Sequence, residues 1–327
     1  MRSHCWWLTG RNPEHAGNTW AKNVGIYDSD TRTELLQRGI DVTFVNRSGR
    51  SPLSGAPAIA GDAAQADFAA STVGHASVVY QCSQPPYHRW VAEFPKLQAS
   101  ILAAAEGVGA RLVIGDNLYS YGHPTGVIRE NSPQNPTTRK GRVRKAMADA
   151  ALDAHAAGRV EVAISRPSDY FGPGYEVFGA TFVRRALAAK PMQVLGRLDR
   201  PHSFSYVPDA GRAMAVLGTS ELSWGQVWIP PVQPAITQGR LAELVWREAG
   251  QSGPAKTMVS GRLMTSMIGL FNPTIREMVE MLYEFEESFV ADSSKFEAAF
   301  GVAATPLDEA MAATVASFRT HDPAGRP

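Results

Sequence analysis

The sequence predicts an α/β fold: a doubly wound, Rossmann-like parallel sheet joined to a smaller, mixed C-terminal substrate region. Short apolar runs, typical of buried strands, alternate with longer segments whose apolar positions recur at helical spacing. Beyond about residue 175 this alternation changes to mixed helices and short strands. We therefore expect residues 1–175 to form the Rossmann-like domain, 176–320 to form the mixed C-terminal region, and 321–327 to form a disordered tail.

The strands and helices follow from apolar runs and from the residues that end them. Gly39 is expected to close the first helix, and Gly107 and Gly109 to stop the helix from Trp90 to Glu106. A further helix is predicted from Lys140 to Ala157, and Pro208 opens a later one. The predicted strands are His4–Leu8, Ile40–Val45, Ala58–Asp62, Ser77–Tyr80, Arg111–Ile114 and Val160–Ser165.

Composition excludes several classes of protein. The chain has 327 residues, of which 44% are hydrophobic and 19% charged, and its formal net charge is +1. This near-neutral balance lacks the basic stripe of nucleic-acid-binding proteins, and no apolar run approaches the roughly 20 residues that span a membrane. Two cysteines supply neither a disulfide framework nor a metal site, and the N-terminal apolar stretch is short for a secretory signal. We expect a soluble, cytoplasmic protein without a metal.

The segment Gly115–Gly122 is the best candidate for an active-site floor, because it follows the fifth predicted strand. On an extended segment Asn117, Tyr119 and Tyr121 share one face. The tyrosines then suit acid/base chemistry, and Asn117 suits hydrogen bonding to a substrate carbonyl. Packing under the cleft explains the same three residues equally well.

An ordered series of motifs resembles the NAD-dependent epimerase/dehydratase family, the extended short-chain dehydrogenases. In that family the sheet binds NAD(P) and the C-terminal region binds substrate, so the resemblance implies both. The motifs are Tyr121-Gly122 after strand five, a Pro-rich crossing into a helix, Arg166 with Gly172-Pro173 after strand six, and the run from Phe204 to Asp209.

The family's glycine loop is altered in this chain. Its three glycines correspond to Lys22, Gly25 and Asp28, so only Gly25 remains. Alternatively the loop starts at Gly10 and carries an insertion of about a dozen residues relative to the family. After strand two the resemblance implies NADP(H) rather than NAD(H), since basic residues replace an acidic one, although a solvated turn has the same composition. The implied cofactor-binding set is Gly10, Gly25, Arg47, Ser48, Arg50, Asp62 and Cys82, of which Asp62 also fits a simple turn residue and Cys82 a small buried one.

The family's proton relay is a Ser or Thr after strand five and a Tyr-x-x-x-Lys on the next helix. Matching the motifs places Asn117 on the Ser/Thr position, Lys140 on the tyrosine and Arg144 on the lysine, with Thr138 as the next candidate for the tyrosine position. Neighbouring arginines disfavour the charged form of Lys140, which suits a general acid or base. The alternative is a basic first turn on a surface helix.

By the same resemblance, Tyr87, Tyr170, Phe171, His202 and Tyr206 border the substrate pocket. His202 is a candidate auxiliary acid or base, although an isolated histidine is more often structural. The aromatic residues in this set suit an apolar ligand of some size.

Three functions remain open from the sequence. The first is an NADP(H)-linked epimerase/dehydratase-type enzyme that acts on a small, largely apolar carbonyl- or hydroxyl-bearing metabolite with a rebuilt acid/base site. The second is a cofactor-independent isomerase, cyclase or dehydratase on the same fold, and the third is a non-catalytic binding or sensor protein. Relatives pair through two helices, so a homodimer through Trp90–Glu106 and Lys140–Ala157 is expected.

Overall fold

The computed structural model describes residues 6–10, 20–22, 28–50, 57–74 and 76–320. The strands are β1 Trp6–Gly10, β2 Trp20–Lys22, β3 Thr43–Asn46, β4 Ala58–Ala60, β5 Ala76–Gln81, β6 Arg111–Gly115, β7 Val162–Ser165, β8 Asp169–Phe171, β9 Met192–Leu195, β10 Pro201–His202, β11 Phe204–Tyr206, β12 Gln226–Trp228, β13 Ile236–Thr237 and β14 Thr257–Ser260.

The helices alternate with these strands. They are α1 Asp28–Gln37, α2 Ala66–Val73, α3 Trp90–Val108, α4 Arg139–Ala156, α5 Glu176–Phe178, α6 Arg184–Leu187, α7 Val207–Thr219, α8 Gln238–Glu248, α9 Arg262–Gly269, α10 Pro273–Met278, α11 Tyr283–Glu286, α12 Ser294–Phe300 and α13 Leu307–Thr320. Short 3₁₀ turns at Tyr87–Arg89, Tyr119–Tyr121, Glu221–Ser223 and Val279–Met281, and a π-helical turn at Gly179–Val183, complete the helical segments. No helix within the described ranges is both long and apolar enough to cross a bilayer.

The main sheet has eight strands in the order β12-β7-β6-β5-β1-β2-β3-β4. All neighbouring pairs are parallel except those that involve β1, which is antiparallel to β5, β2 and β3. This mostly parallel sheet with helices on both faces confirms the predicted Rossmann-like class. β8–β11 and β9–β14 form small parallel pairs, and β10–β13 a small antiparallel one.

The direction of β1 corrects one prediction. Gly10 ends this strand beside Ala76, the first residue of β5. The end of β1 therefore lies at the opposite edge from the carboxyl ends of the parallel strands, where a dinucleotide binds in such sheets. The prediction that Gly10 opens a phosphate-binding loop is wrong for this reason. Gly25, the other predicted glycine, lies outside the described residues.

The two sheet faces bury different helices because side chains alternate along each strand. On β6, Leu112 and Ile114 pack into the cluster formed with α2, α3 and α4. Val113 between them packs on the other face, with residues of α1 and α7 such as Leu35 and Met214.

The region after residue 175 is not a separate layer throughout. α7 covers the main sheet, and β12 extends that sheet beside β7. The remaining elements form their own core around α8 and α13, with Phe182, Trp246 and Phe318 buried in it. A further apolar cluster, including Leu118, Ile128 and Phe289, joins this region to the loop after β6. That junction places C-terminal side chains next to the strand ends.

Gly218 in α7 tests how closely this helix approaches the sheet. A methyl group at Gly218 would overlap the hydroxyl of Tyr80, which is fully buried on β5. Gly218→Ala should therefore lower the free energy of unfolding by about 1–3 kcal/mol through overpacking. Gly107 in α3 has no neighbour within 4 Å of such a methyl group, so Gly107→Ala should raise stability by up to about 1 kcal/mol. Urea denaturation measures the change in the free energy of unfolding for both variants. Equal changes would contradict the close contact between Gly218 and Tyr80.

Candidate active site

The candidate site lies where β5, β6 and β7 end side by side. Gln81 pairs with Ile114 at the end of β5, and Gly115 pairs with Ser165 at the ends of β6 and β7. Because the strands are parallel, the segments that follow them converge at one edge of the sheet, which is where open α/β sheets bind ligands.

A buried carboxylate holds this edge together. Asp116 accepts from Arg144 Nε at 2.6 Å and from Arg166 Nε at 2.7 Å, and all three side chains are almost fully buried. Arg144 also donates to the carbonyl of Gly115 at 2.9 Å. The role predicted for Arg144 in an acid/base site is corrected accordingly, because its guanidinium ties α4 to the strand ends and arginine does not release its proton in proteins.

Lys140 has carboxylates around its ammonium group rather than the cations that the sequence suggested. Its side chain is completely buried, and Nζ lies 2.5 Å from Glu277 Oε2 and 2.9 Å from Glu280 Oε1. The same nitrogen lies 4.6 Å from the ring centroid of Tyr87. The neighbours of the ammonium group are therefore carboxylates, and the premise that neighbouring arginines set its environment is wrong.

The first turn of α4 explains why this helix approaches the site so closely. Thr138, the alternative to Lys140, caps the helix, since its hydroxyl accepts from the Gly141 amide at 3.0 Å. A methyl group at Gly141 would lie 2.5 Å from the carbonyl oxygen of Tyr119. Glycine at 141 therefore permits the contact between α4 and the 119–121 turn.

Tyr119 and Asn117 are the predicted catalytic residues that remain partly exposed at this edge. The contacts of Tyr119 show how its phenol is held. Its hydroxyl lies 3.3 Å from the hydroxyl of Tyr87, and its amide donates to Asn117 Oδ1 at 3.1 Å. Burial raises the pKa of Tyr119 well above 10, and Tyr87 adds to the effect. The phenol therefore stays protonated at neutral pH and can donate a hydrogen bond.

Tyr121 does not share a face with Tyr119, because residues 119–121 form a 3₁₀ turn instead of an extended segment. Its ring is buried, its hydroxyl donates to the Glu130 carbonyl at 3.3 Å, and Arg166 Nη1 donates to it at 3.2 Å. The catalytic role predicted for Tyr121 is corrected to a packing and hydrogen-bonding role beneath the site.

The predicted substrate residues separate into two groups. Phe171 and Tyr206 pack against each other in the C-terminal core at a centroid distance of 5.3 Å and are inaccessible to a ligand, which contradicts their predicted contact with substrate. Tyr87 and Tyr170 remain partly exposed. His202 is buried on β10 and lies 2.9 Å from Asp169 Oδ2 through its Nε2.

Sequence reasoning missed Asp169 and several residues of the C-terminal region. Burial raises the pKa of Tyr87, Tyr119, Tyr175 and Tyr283, and the charge of Asp169 adds to the effect at each of them. These phenols therefore surround one carboxylate. Asp169 lies within the Arg166–Gly172 segment, which carries part of the family resemblance. Its place in that segment could have marked it as a site residue.

Glu284 is a buried carboxyl group in the same cluster. It is 1% exposed, and its Oε1 has no hydrogen-bond partner within the described part of the chain. Burial raises its pKa well above the ordinary 4.5, and the charge of Asp169 adds to this effect. The protonated form of Glu284 is therefore favoured.

Five of the predicted cofactor residues follow the carboxyl ends of β3, β4 and β5, namely Arg47, Ser48, Arg50, Asp62 and Cys82. Asn46 Oδ1 accepts from the Ser48 amide at 2.6 Å and shapes the turn that exposes Arg47 and Arg50. Asp62 accepts from the Ala64 amide at 3.0 Å in a tight turn, as its alternative reading predicted. Cys82 is buried and packs in the core, as its alternative role as a small buried residue predicted.

Comparison with known proteins identifies the family. A family model described as the NAD-dependent epimerase/dehydratase family matches residues 29–224. The chain belongs to this family. The resemblance inferred from the ordered motifs is therefore confirmed. No curated protein matches the chain significantly in sequence.

Solved structures of epimerase/dehydratase proteins share the fold. UDP-glucuronic acid 4-epimerase from Bacillus cereus, in complex with NAD, is 16% identical over 91% of this chain and 88% of its own, with a TM-score of 0.67. MoeE5, in complex with UDP-glucuronic acid and NAD, is 21% identical over 90% and 96%, with a TM-score of 0.72. dTDP-glucose 4,6-dehydratase from Bacillus anthracis, in complex with NAD, is 14% identical over 81% and 80%, with a TM-score of 0.66. At these identities the likeness shows a common fold alone.

Replacing Lys140 tests its structural role. Lys140→Met removes the buried partner of Glu277 and Glu280, which keep their contacts with Arg139, so the free energy of unfolding should fall by about 1–3 kcal/mol. Lys145→Met is the matched control on the same helix, because its exposed pair with Asp149 is worth about 1 kcal/mol or less. Urea denaturation measures both, and a loss in the first variant no greater than in the control would contradict a structural role.

Glu284→Gln tests the buried acid through the pH dependence of stability. In the folded protein the pKa is raised, so the unfolded chain ionises first as the pH rises above 4.5 and stability falls. Glutamine cannot ionise, so the variant should gain stability over the wild type, and the gain should grow between about pH 5 and 8. Thermal unfolding across this pH range measures the gain in stability, and the exposed Glu309→Gln variant is the control. A difference that is independent of pH would argue against a buried, protonated Glu284.

Proposed function

We propose that this protein is a nicotinamide-dependent epimerase/dehydratase-type enzyme with a rebuilt acid/base site. Its substrate is a small, largely apolar molecule that bears a carbonyl or hydroxyl group. The observation that carries the proposal is the position of Lys140, which stands on the family's tyrosine and yet is buried between Glu277 and Glu280. Proton transfer then has to come from other side chains at the same strand ends.

Two features of the described residues support a dinucleotide at this edge. The amide of Gln81 and the hydroxyl of Ser83 are buried at the end of β5 without hydrogen-bond partners within the described part of the chain. The turn after β3 exposes Arg47 and Arg50, which suit the 2′-phosphate of NADP(H). These residues would hold the cofactor, which when bound supplies or accepts a hydride. The structural neighbours contain NAD, so the preference for NADP(H) rests on the arginines.

The lining of the site supports the proposed substrate class. Phenol rings of Tyr87 and Tyr119 offer apolar surface and neutral hydroxyl donors. The charge of Asp169 acts on the same phenols, and a site with this field disfavours a strongly anionic ligand. In this arrangement Asn117 and Tyr119 orient the carbonyl or hydroxyl group of the substrate.

We also propose a homodimer through α3 and α4. A groove of about 530 Å³ lies between these helices and is lined largely by apolar side chains, including Val91, Leu102 and Val143. Val91 is 43% exposed. Apolar side chains in an open groove between two helices suit a pair of helices from a second copy.

Dinucleotide titration tests the proposed function. NADPH should bind saturably and more tightly than NADH, and Arg47→Ala or Arg50→Ala should weaken NADPH binding by about 10- to 100-fold through loss of a charged hydrogen bond. NADH binding should change little. Arg159→Ala, an exposed arginine that pairs with Glu106 away from this turn, is the control.

Thermal shift and equilibrium fluorescence measure this binding. Equal weakening of both dinucleotides would contradict the NADP(H) preference. Failure of both to bind would eliminate the cofactor-linked function. The cofactor-independent isomerase or dehydratase would then be favoured, in agreement with the position of Gly10 at the opposite sheet edge.

A further inference from the structure

His202 presents both ring nitrogens to acceptors. Nδ1 lies 2.9 Å from the carbonyl oxygen of Glu284, and Nε2 lies 2.9 Å from Oδ2 of Asp169. A carbonyl oxygen accepts hydrogen bonds and cannot donate one, so Nδ1 carries a proton. The ring is therefore either the neutral Nδ1–H tautomer or the imidazolium ion.

The contact between Nε2 and Asp169 then requires a second proton. A neutral Nδ1–H ring has a bare Nε2, which would face a carboxylate with no proton between the two acceptors. The 2.9 Å contact is a hydrogen bond only if one proton lies between the nitrogen and the oxygen. Both contacts are hydrogen bonds only in imidazolium with carboxylate or in neutral imidazole with carboxylic acid. In both forms the pair holds one proton more than a neutral histidine beside a carboxylate.

Aromatic rings shield the His202 ring from solvent. His202 is 1% exposed, and the rings of Phe204, Phe285 and Phe289 lie at centroid distances of 4.6, 4.8 and 5.6 Å from it. In such surroundings an unpaired imidazolium would be costly, so its charge depends on Asp169. Asp169 is the exposed member of the pair, with 32% of its side chain accessible.

The other titratable groups near Asp169 are held neutral. They are the phenols of Tyr87, Tyr119, Tyr175 and Tyr283 and the carboxyl of Glu284, and burial raises the pKa of all five. Lys140 and Arg144 are engaged in the buried ion pairs described above. Asp169 is the carboxyl group of this cluster with access to a ligand.

We propose that Asp169 and His202 hold a proton at the candidate site and that Asp169 delivers it to an oxygen atom of the bound substrate. The inference rests on the proposed function. As a nicotinamide reductant gives a hydride to the carbonyl carbon, the electron pair of the C=O π bond moves onto the substrate oxygen, which forms an O–H bond with this proton. Asp169 is left as a carboxylate and His202 as the neutral Nδ1–H ring, and solvent returns the proton. In the reverse direction the unprotonated pair accepts the hydroxyl proton, the O–H electron pair forms the C=O π bond, and the hydride on carbon passes to the oxidised nicotinamide.

Nitrogen NMR of the intact protein tests the pair without cofactor or substrate. With ¹⁵N-labelled histidine and His202→Gln to assign the signals, Nδ1 should carry a proton between about pH 6 and 8. Nε2 should carry or share a second one. In Asp169→Asn the amide can donate to Nε2, so His202 should become the neutral Nδ1–H ring. Asp199→Asn, which removes a surface ion pair, is the matched control and should change neither nitrogen.

Either of two results would contradict the proposed protonation of His202 and Asp169. One is a bare Nδ1 in the wild type. The other is a bare Nε2 together with no loss of a protonated-carboxyl infrared band in Asp169→Asn.

Reduction of straight-chain and aromatic aldehydes by NADPH tests the transfer. Asp169→Asn should lower kcat by about 10²- to 10⁴-fold with a small change in KM, as expected for loss of a general acid. An unchanged kcat would overturn the role of Asp169 in proton transfer. Absence of dinucleotide binding would overturn the proposed function instead, while the NMR result on the pair would stand, so the two failures are distinguishable.

Discussion

The geometry of the candidate site depends on one buried carboxylate. Asp116 receives guanidinium groups from Arg144 on α4 and from Arg166 after β7. Two strand ends and a helix are thereby held at fixed separation, at the edge where ligands bind in this fold. The triad carries a net positive charge in the interior, and removing one partner of such a pair typically costs about 3–5 kcal/mol. The same ion pairs also take Arg144 out of any proton relay.

The sheet domain and the C-terminal region both contribute side chains to the candidate site. Glu277 and Glu280 reach from α10 and the following turn to Lys140 at the start of α4. This anchor brings the adjoining segment, with Tyr283 and Glu284, against the strand ends. The groups able to carry protons therefore come from β8, β10 and the C-terminal region as much as from the sheet. The first turn of α4 therefore anchors the C-terminal region to the sheet domain through these ion pairs.

Electrostatics at the site follow from burial more than from charge. Phenols beside Asp169 keep their protons because ionising them would place a second negative charge in a poorly solvated place. Glu284 keeps its proton for the same reason. Among the described residues of this cluster, the pair formed by Asp169 and His202 combines a short contact between titratable groups with a partly exposed carboxyl side chain.

The sequence by itself determined the fold class, the order of the strands along the chain and the family, because apolar periodicity and turn residues are local signals. It also located the strand end that carries Asn117 and Tyr119. It could not reveal the direction of β1, which depends on its pairing with β5, or the burial of Phe171 and Tyr206. Tertiary structure alone decided the partners of Lys140 and His202. The carboxylates of Glu277 and Glu280 lie far from Lys140 in sequence, and a side chain's protonation depends on the groups that packing brings within a few ångströms of it.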